Sequence, residues 1–452
     1  MDRQPDRSVD RGSVRRRPEA DPYLPGHGDP SYAVTNYDLD LDYALENNHL
    51  SGRATLTLRA CVDLDELTLD LHALKVVKVT GLKVKRHTHR SGRLRLMLAE
   101  SLAAGDEATV TIAYRGVPKV VPDKIGEAGW EELEDGVIVA SQPGGAPSWF
   151  PCNDRPDDKA TYRITVTAAS DYLVVANGQR TDQRRRASRT TWTYEMTDPM
   201  ATYLATVQIG RYAEHKIRAA VPMTAAVPPA RRRAFDDAFG DQPKMLDLYI
   251  RLFGPYPFDS YRVVITDDEL EIPLEAQGLS IFGSNFLNRD WDSQRLIAHE
   301  LSHQWFGNAV TLESLKDIWL HEGFACYSEW LWSQESGGPS TDHRARHHWE
   351  RLSHLGQRLI LGDPGADDVF DDRVYKRGAL TLHAIRLTIG DDAFFEALRT
   401  WVVRHRGGNV RTEDFVRLVE KVSGTSIQGL IDDWVYSGTL PPLPASNQAA
   451  PA

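Results

Sequence analysis

From about residue 33 to 215 the chain alternates apolar and polar positions with a period of two. The stretches "NYDLDLDYAL", "GRATLTLRACV", "GRLRLMLAE", "ATVTIAYRG", "ATYRITVTAAS" and "ATYLATVQIG" all show it, with Gly, Pro, Asn and Asp between them. Successive side chains of a strand point to opposite faces, so this is the pattern of half-buried strands. Many short strands at regular spacing predict a β-rich, largely antiparallel domain. After about residue 230 the period changes. "RRRAFDDAFGDQPKMLDLYIRLFG" predicts one helix, ended by Gly254 and Pro255. "YRVVITDDELEIPLEAQGLSIFG" returns to strand, and from "WDSQRLIAHELSHQWFG" to "IQGLIDDWVYSG" helical patterns dominate. The expected organisation is a disordered leader (1–22), a β-rich domain (23–215), an α+β domain ending in helices (216–440) and a loose Pro- and Ala-rich tail (441–452). The fold class is multidomain α+β.

Composition narrows the function. A formal charge of -11 argues against a nucleic-acid partner. No stretch approaches the length of a membrane span, and the charged N-terminus has no apolar core of a signal peptide, so no membrane partner is expected. The three cysteines, Cys61, Cys152 and Cys326, form no close pair, which points to a reducing, cytoplasmic compartment.

The chemistry concentrates in "AHELSHQWFGNAV" (298–310). Asp292 or Ser293 is expected to cap a helix running to about Phe306, with Gly307 and Asn308 ending it. His299 and His303, four apart, share one face and can point two imidazoles at one ion. Glu300 lies at the edge of that face, placed to take a proton from water at the ion. The bland alternative is a pair of surface histidines. A catalytic zinc needs a third ligand, and "SLKDIWLHEGFACYSEWLWSQ" offers Glu322 on a second helix. Ile318, Leu320, Phe324, Trp330 and Leu331 can bury that helix beside the first. Glu329 either orients a ligand imidazole or is a solvated carboxylate; Asp317 and His321 are equally open, and Cys326 reads as packing.

H-E-x-x-H, eighteen intervening residues and a Glu inside "W-L-x-E-G-F-A" resemble the zinc aminopeptidases of the aminopeptidase N type, in the gluzincin clan. The resemblance extends to Phe150, Pro151, Cys152, Asp154, Pro156, Lys159 and Ala160 in "FPCNDRPDDKA", and to Tyr375 in "VYKRGALTLHAIRLTIG". It implies a saddle-like β domain followed by a thermolysin-like catalytic domain, with one Zn2+ per chain held by His299, His303 and Glu322. It further implies Glu300 as general base and Tyr375 as the donor that stabilises the oxyanion.

Two departures stand out. The family's Gly-Ala-Met-Glu-Asn-x-Gly strand is "IPLEAQG" here (272–278), keeping Glu275, which would bind the substrate's free amine, and Gly278. Two residues after Gln142, where the family has Gln or Glu as a further amine anchor, stands Gly144. Full-sized relatives also carry a large helical domain over the site, so an open cleft, or a partner or dimer mate covering it, is expected. The expected function is hydrolysis of the first peptide bond of substrates with a free N-terminus. The alternatives are a zinc hydrolase with a relaxed amine requirement (an endopeptidase or epoxide hydrolase), and a catalytically silent binding module.

Overall fold

The structure, a computed structural model, describes residues 20–444. A seven-stranded sheet forms the base of the first half, with the order Gln179–Arg186, Arg189–Met200, Ala160–Ala169, Tyr32–Ala44, His49–Ala60, Glu107–Gly116, Lys75–Thr80. Its alternation is the one the sequence predicts. Tyr37, Leu39, Leu41 and Tyr43 face the core, while Asp38 and Asp40 face outward. One central pairing departs from the antiparallel pattern: Tyr32–Ala44 runs parallel to Ala160–Ala169, from Asn36 opposite Thr161 to Asp42 opposite Thr167. A three-stranded and a five-stranded sheet complete this half.

The second half is built on another five-stranded sheet, ordered Ala213–Ile217, Met223–Val227, Tyr261–Ile265, Leu279–Phe282, Leu274–Ala276. Its first strand begins at Ala213, inside the stretch whose alternation reads as the first domain. Leu274–Ala276 is an edge strand, antiparallel to Leu279–Phe282.

The helices follow in chain order: α1 (Arg232–Ala238), α2 (Gln242–Phe253), α3 (Trp291–Ser302), α4 (Trp319–Glu335), α5 (Thr341–Ser353), α6 (Asp372–Ile389), α7 (Asp391–His405), α8 (Thr412–Ser423) and α9 (Gln428–Trp434). The single helix expected before Gly254 is two. Gly240 falls at the break and Pro243, which has no N–H to donate, sits in the first turn of α2. Gly254 ends α2 with φ of 97°, as its position predicts. Helix α3 is capped by Asp290, whose side chain accepts from the Ser293 amide at 2.8 Å, rather than by Asp292 or Ser293. It stops at Ser302, short of Phe306.

Helix α4 is buried on every side from Trp319 to Ser333 and crosses α6 at two glycines. A Cβ placed on Gly323 would lie 2.8 Å from the Cα of Gly378, so the two backbones touch. That contact brings Glu322, beside Gly323, toward Tyr375, one turn before Gly378.

Of the expected leader, residues 1–19 lie outside the described residues; Asp21 already accepts a hydrogen bond from the Leu315 amide at 2.7 Å. Tyr23 and Leu24 are buried in the core of the second half. Residues 445–452 of the expected tail lie outside as well, and Pro441 is tied down through a hydrogen bond from Trp349 Nε1 at 2.7 Å.

Candidate metal centre and active site

One turn of α3 separates His299 from His303, and their rings lie 4.8 Å apart. Helix α4 delivers Glu322 between them: its Oε2 is 3.3 Å from His299 Nε2 and 3.5 Å from His303 Nε2. The ligand atoms of the three residues all lie within 4.8 Å of one another. The far nitrogen of each ring is also held. His303 Nδ1 donates to the Phe306 carbonyl at 3.0 Å, and His299 Nδ1 donates to Glu329 at 2.8 Å. Fixing the proton on Nδ1 turns the Nε2 lone pairs toward Glu322.

The electrostatics ask for a cation. Burial alone would lower the two imidazoles, yet both are pushed up to about 9, His299 by Glu322 and Glu329 and His303 by Glu322 and Glu275. Glu322 is held far below the usual carboxylate range by the histidines even though burial opposes this. Two imidazole nitrogens and one carboxylate oxygen are the donor set of a catalytic zinc that keeps an open position. A dication in their midst meets the same negative field that otherwise draws protons onto the rings.

Around this cluster the structure gathers most of the residues singled out in the sequence. Glu300 is buried and its Oε2 has no hydrogen-bond partner. Burial and neighbouring Glu275 push its carboxyl well up. The Tyr375 ring lies 6.0 Å from the His299 ring, and burial followed by Glu322 and Glu275 drives its phenol well above the ordinary value. Glu275, on the edge strand, is raised by burial and by Glu322 and lowered by His303, which places it within the same field.

Gly278 (φ of 78°) makes the turn after the edge strand, and its amide donates to Gln304 Oε1 at 2.8 Å. Gln142 is the outlier. It lines a small apolar pocket with Leu24, Tyr203, His321 and other residues, beside the cluster rather than in it.

The open alternatives resolve by contact. Glu329 is no surface carboxylate: it is buried, and Arg295 lies 3.6 Å from the same oxygen that His299 bonds. His321 accepts from the Leu312 amide through Nε2 at 2.8 Å and stays neutral, its pKa lowered to about 3 by burial. Asp317 accepts from Thr412 Oγ1 at 2.5 Å and ties the start of α4 to α8. Cys326 packs in the core as expected and also accepts from Lys376 Nζ at 3.3 Å.

Three residues escape the sequence reading. Gln304 and Asn308 each donate to the Ala276 carbonyl at 3.1 Å, clamping the edge strand to the end of α3. The signal was adjacent, in the continuation "HQWFGN", but two amides carry no message until the strand is in place. The third, Tyr203, sits where its phenol feels Glu275 and Glu322. It lies in a short turn, Thr202–Leu204, that the alternation presents as strand.

Comparison with known proteins agrees with this geometry. The Peptidase M1 N-terminal domain matches residues 33–204, and the Peptidase family M1 domain matches residues 238–434. Aminopeptidase M1 of Arabidopsis thaliana is 26% identical over 337 residues, covering 70% of this chain and 38% of its own length. The chain thus spans well under half of that relative. A crystal structure of an M1 zinc metallopeptidase from Deinococcus radiodurans superposes with a TM-score of 0.86 at 31% identity, covering 94% of this chain and 99% of that one. A mutant of that protein, with the same TM-score of 0.86, 31% identity and coverage of 94% and 99%, was solved bound to a Tyr-Ser-Ala substrate. With both domains matched in order and a solved relative aligned almost end to end, the chain belongs to the M1 family of zinc metallopeptidases.

Proposed function

We propose that this protein is a monozinc aminopeptidase that removes the first residue of peptides with a free N-terminus. The observation that carries the reading is Glu275, a carboxylate on an edge strand clamped beside the His299–His303–Glu322 cluster. A carboxylate there can hold an α-ammonium by a charge-assisted hydrogen bond and set the first peptide bond over the metal. The Tyr-Ser-Ala substrate of the solved relative supports a peptide in this place.

In this reading His299, His303 and Glu322 hold the zinc, which when bound polarises the scissile carbonyl and acidifies water. Glu300, with an oxygen free of partners and a raised pKa, takes a proton from the attacking water and passes it to the leaving amine. Tyr375 keeps its proton at working pH and donates to the carbonyl oxygen as negative charge develops. Gly278 shapes the turn behind the edge strand and Gln142 contributes to the adjoining wall. Among the described residues no helix is long and apolar enough to cross a membrane. A cytoplasmic setting belongs to the same reading, supported by the three unpaired thiols.

The test is a panel of short peptides, free and N-acetylated, incubated with and without a chelator and read by mass spectrometry. Stepwise loss of N-terminal residues from free peptides only, abolished by chelation, is the expected result. Internal cuts or equal cleavage of acetylated peptides would replace it with the relaxed hydrolase. Bound zinc with no cleavage of either form would leave a binding module.

A further inference from the structure

The formal charge of -11 is an average over a chain whose charge is unevenly spread. Residues 71–99 and 108–122 hold ten lysines and arginines and no acidic residue. The structure turns much of this stretch into two neighbouring sheet edges. Lys75–Thr80 is the last strand of the seven-stranded sheet, beside Glu107–Gly116. Val84–Arg90 is the last strand of the three-stranded sheet, beside Arg93–Leu102. Only residues 81–83 separate the two strands, and His89 Nε2 donates to the Leu71 carbonyl at 2.8 Å, tying their far ends. Both edges therefore lie on one side of the first half.

Lys75, Lys78, Lys85, Arg86 and Arg90 are exposed along these edges, and none of them forms an ion pair among the described residues. Acids beside them already have partners: Glu100 pairs with Lys83 at 2.7 Å, Asp70 with Arg93, and Glu66 faces Arg95 at 3.9 Å. Cationic edges have a plain purpose, since charge keeps one sheet edge from pairing with another. That purpose does not explain the apolar side chains set among the charges. Val77 is 56% exposed, in a bulge between Val76 and Lys78 that leaves it without a ladder partner. Met97, 38% exposed, stands opposite Arg86. Val117, 44% exposed, stands two residues after Arg115, which pairs with Lys75. Among the described residues before Ile272, these three are the only large apolar side chains left exposed.

We infer that this side of the first half is a docking surface for an anionic lipid bilayer, on which the protein lies without crossing it. Near such a surface each lysine or arginine strengthens binding about fivefold, through the phosphate and carboxylate headgroups. Val77, Met97 and Val117 leave water for the boundary between headgroups and acyl chains, while the long cationic side chains keep their charges among the headgroups. A nucleic acid would use the cations equally well but offers little to aliphatic side chains. The two stretches also expose no Tyr, Phe or Trp ring on which a base could stack, since Tyr114 is buried. None of these residues belongs to the active site, so the assignment stands apart from the aminopeptidase reading.

The test is sedimentation of the whole chain with phosphatidylcholine vesicles, either pure or containing about one third phosphatidylserine. Binding to the anionic vesicles only, weakening as salt rises, is the expected result. Lys75→Gln, Lys78→Gln and Arg86→Gln combined should weaken it about 100-fold, or about fivefold for each charge removed. Val77→Ser with Met97→Ser keeps every charge and should still weaken it at least about fivefold. Both variants should melt as the wild type does, because the altered side chains are exposed. Absence of binding to either vesicle, or equal binding to both, overturns the assignment. Binding that the serine pair leaves unchanged overturns it as well. Tighter binding to a single-stranded oligonucleotide than to the vesicles would make the patch a nucleic-acid surface instead.

Discussion

Glu329 does for His299 what the Phe306 carbonyl does for His303: it takes the Nδ1 proton and leaves Nε2 facing inward. The two supports differ in kind. A backbone carbonyl cannot be mutated away and is set by the turn after α3, whereas Glu329 is a buried carboxylate held anionic by Lys376 and His299 against its own burial. Glu329→Gln keeps the shape and removes the charge. Zinc affinity, measured by competition with a chromogenic chelator, is expected to fall about 10- to 100-fold, the usual loss when an outer partner of a ligating histidine is changed. Equal affinity would mean that the imidazole is oriented by packing alone. In the sequence Glu329 stands seven residues after Glu322, on nearly the same side of helix α4, but the spacing alone does not say that the helix is buried all round or that this carboxylate reaches His299.

At the scale of elements, the decisive contact is the crossing of α4 and α6. A methyl on Gly378 would sit 2.7 Å from the Cα of Gly323, far inside the 3.5–4.0 Å at which carbon atoms pack. Alanine is the better helix former by about 1 kcal/mol. Overpacking typically costs about 1–3 kcal/mol, and here both partners are backbone, which cannot rotate aside. The clash is expected to win. Gly378→Ala should unfold at lower urea and lose zinc, since Glu322 adjoins Gly323; a more stable variant with intact zinc binding would refute the argument.

Element boundaries show the same division. Asp290, Asp292 and Ser293 are chemically equivalent caps, and the choice fell to Asp290 because the chain is still extended there (φ -64°, ψ 162°). Beyond Ser302 the chain continues in wider turns, with the Asn308, Ala309 and Val310 amides reaching the carbonyls of His303, Gln304 and Trp305. Those turns let Asn308 reach the edge strand, and no local propensity announces them.

On the scale of the whole molecule, Lys159 joins the halves. Its Nζ, on the loop entering strand Ala160–Ala169, donates to the carbonyls of Asn308 and Ala309 at 3.1 and 3.2 Å. Burial lowers its pKa from 10.5 to about 7, with distant Asp198 only partly offsetting this. A lysine whose folded pKa is depressed binds fewer protons folded than unfolded between those two values. Its contribution to stability therefore rises with pH from about 7 to about 10.5, by up to about 1.4 kcal/mol per pH unit, and is flat at its least favourable below 7. Lys159→Met should flatten that part of the pH–stability curve, measured by denaturant unfolding between pH 6.5 and 9.5 against wild type. Identical curves would mean that the folded amine keeps its ordinary pKa and stays charged across this range.

The sequence by itself determined most of the kinds of elements, their order and the candidate metal triad. Strand and helix periodicity are local, and two histidines four apart on a helix need no partner to share a face. It also held Glu322, because the intervening length and the apolar second helix are written in the chain. Tertiary structure alone decided which carboxylate turns inward, how the edge strand is clamped, and the parallel pairing of Tyr32–Ala44 with Ala160–Ala169. Each of these is a contact between residues distant along the chain, and their separation in sequence carries no trace of their approach in space until the whole core has packed.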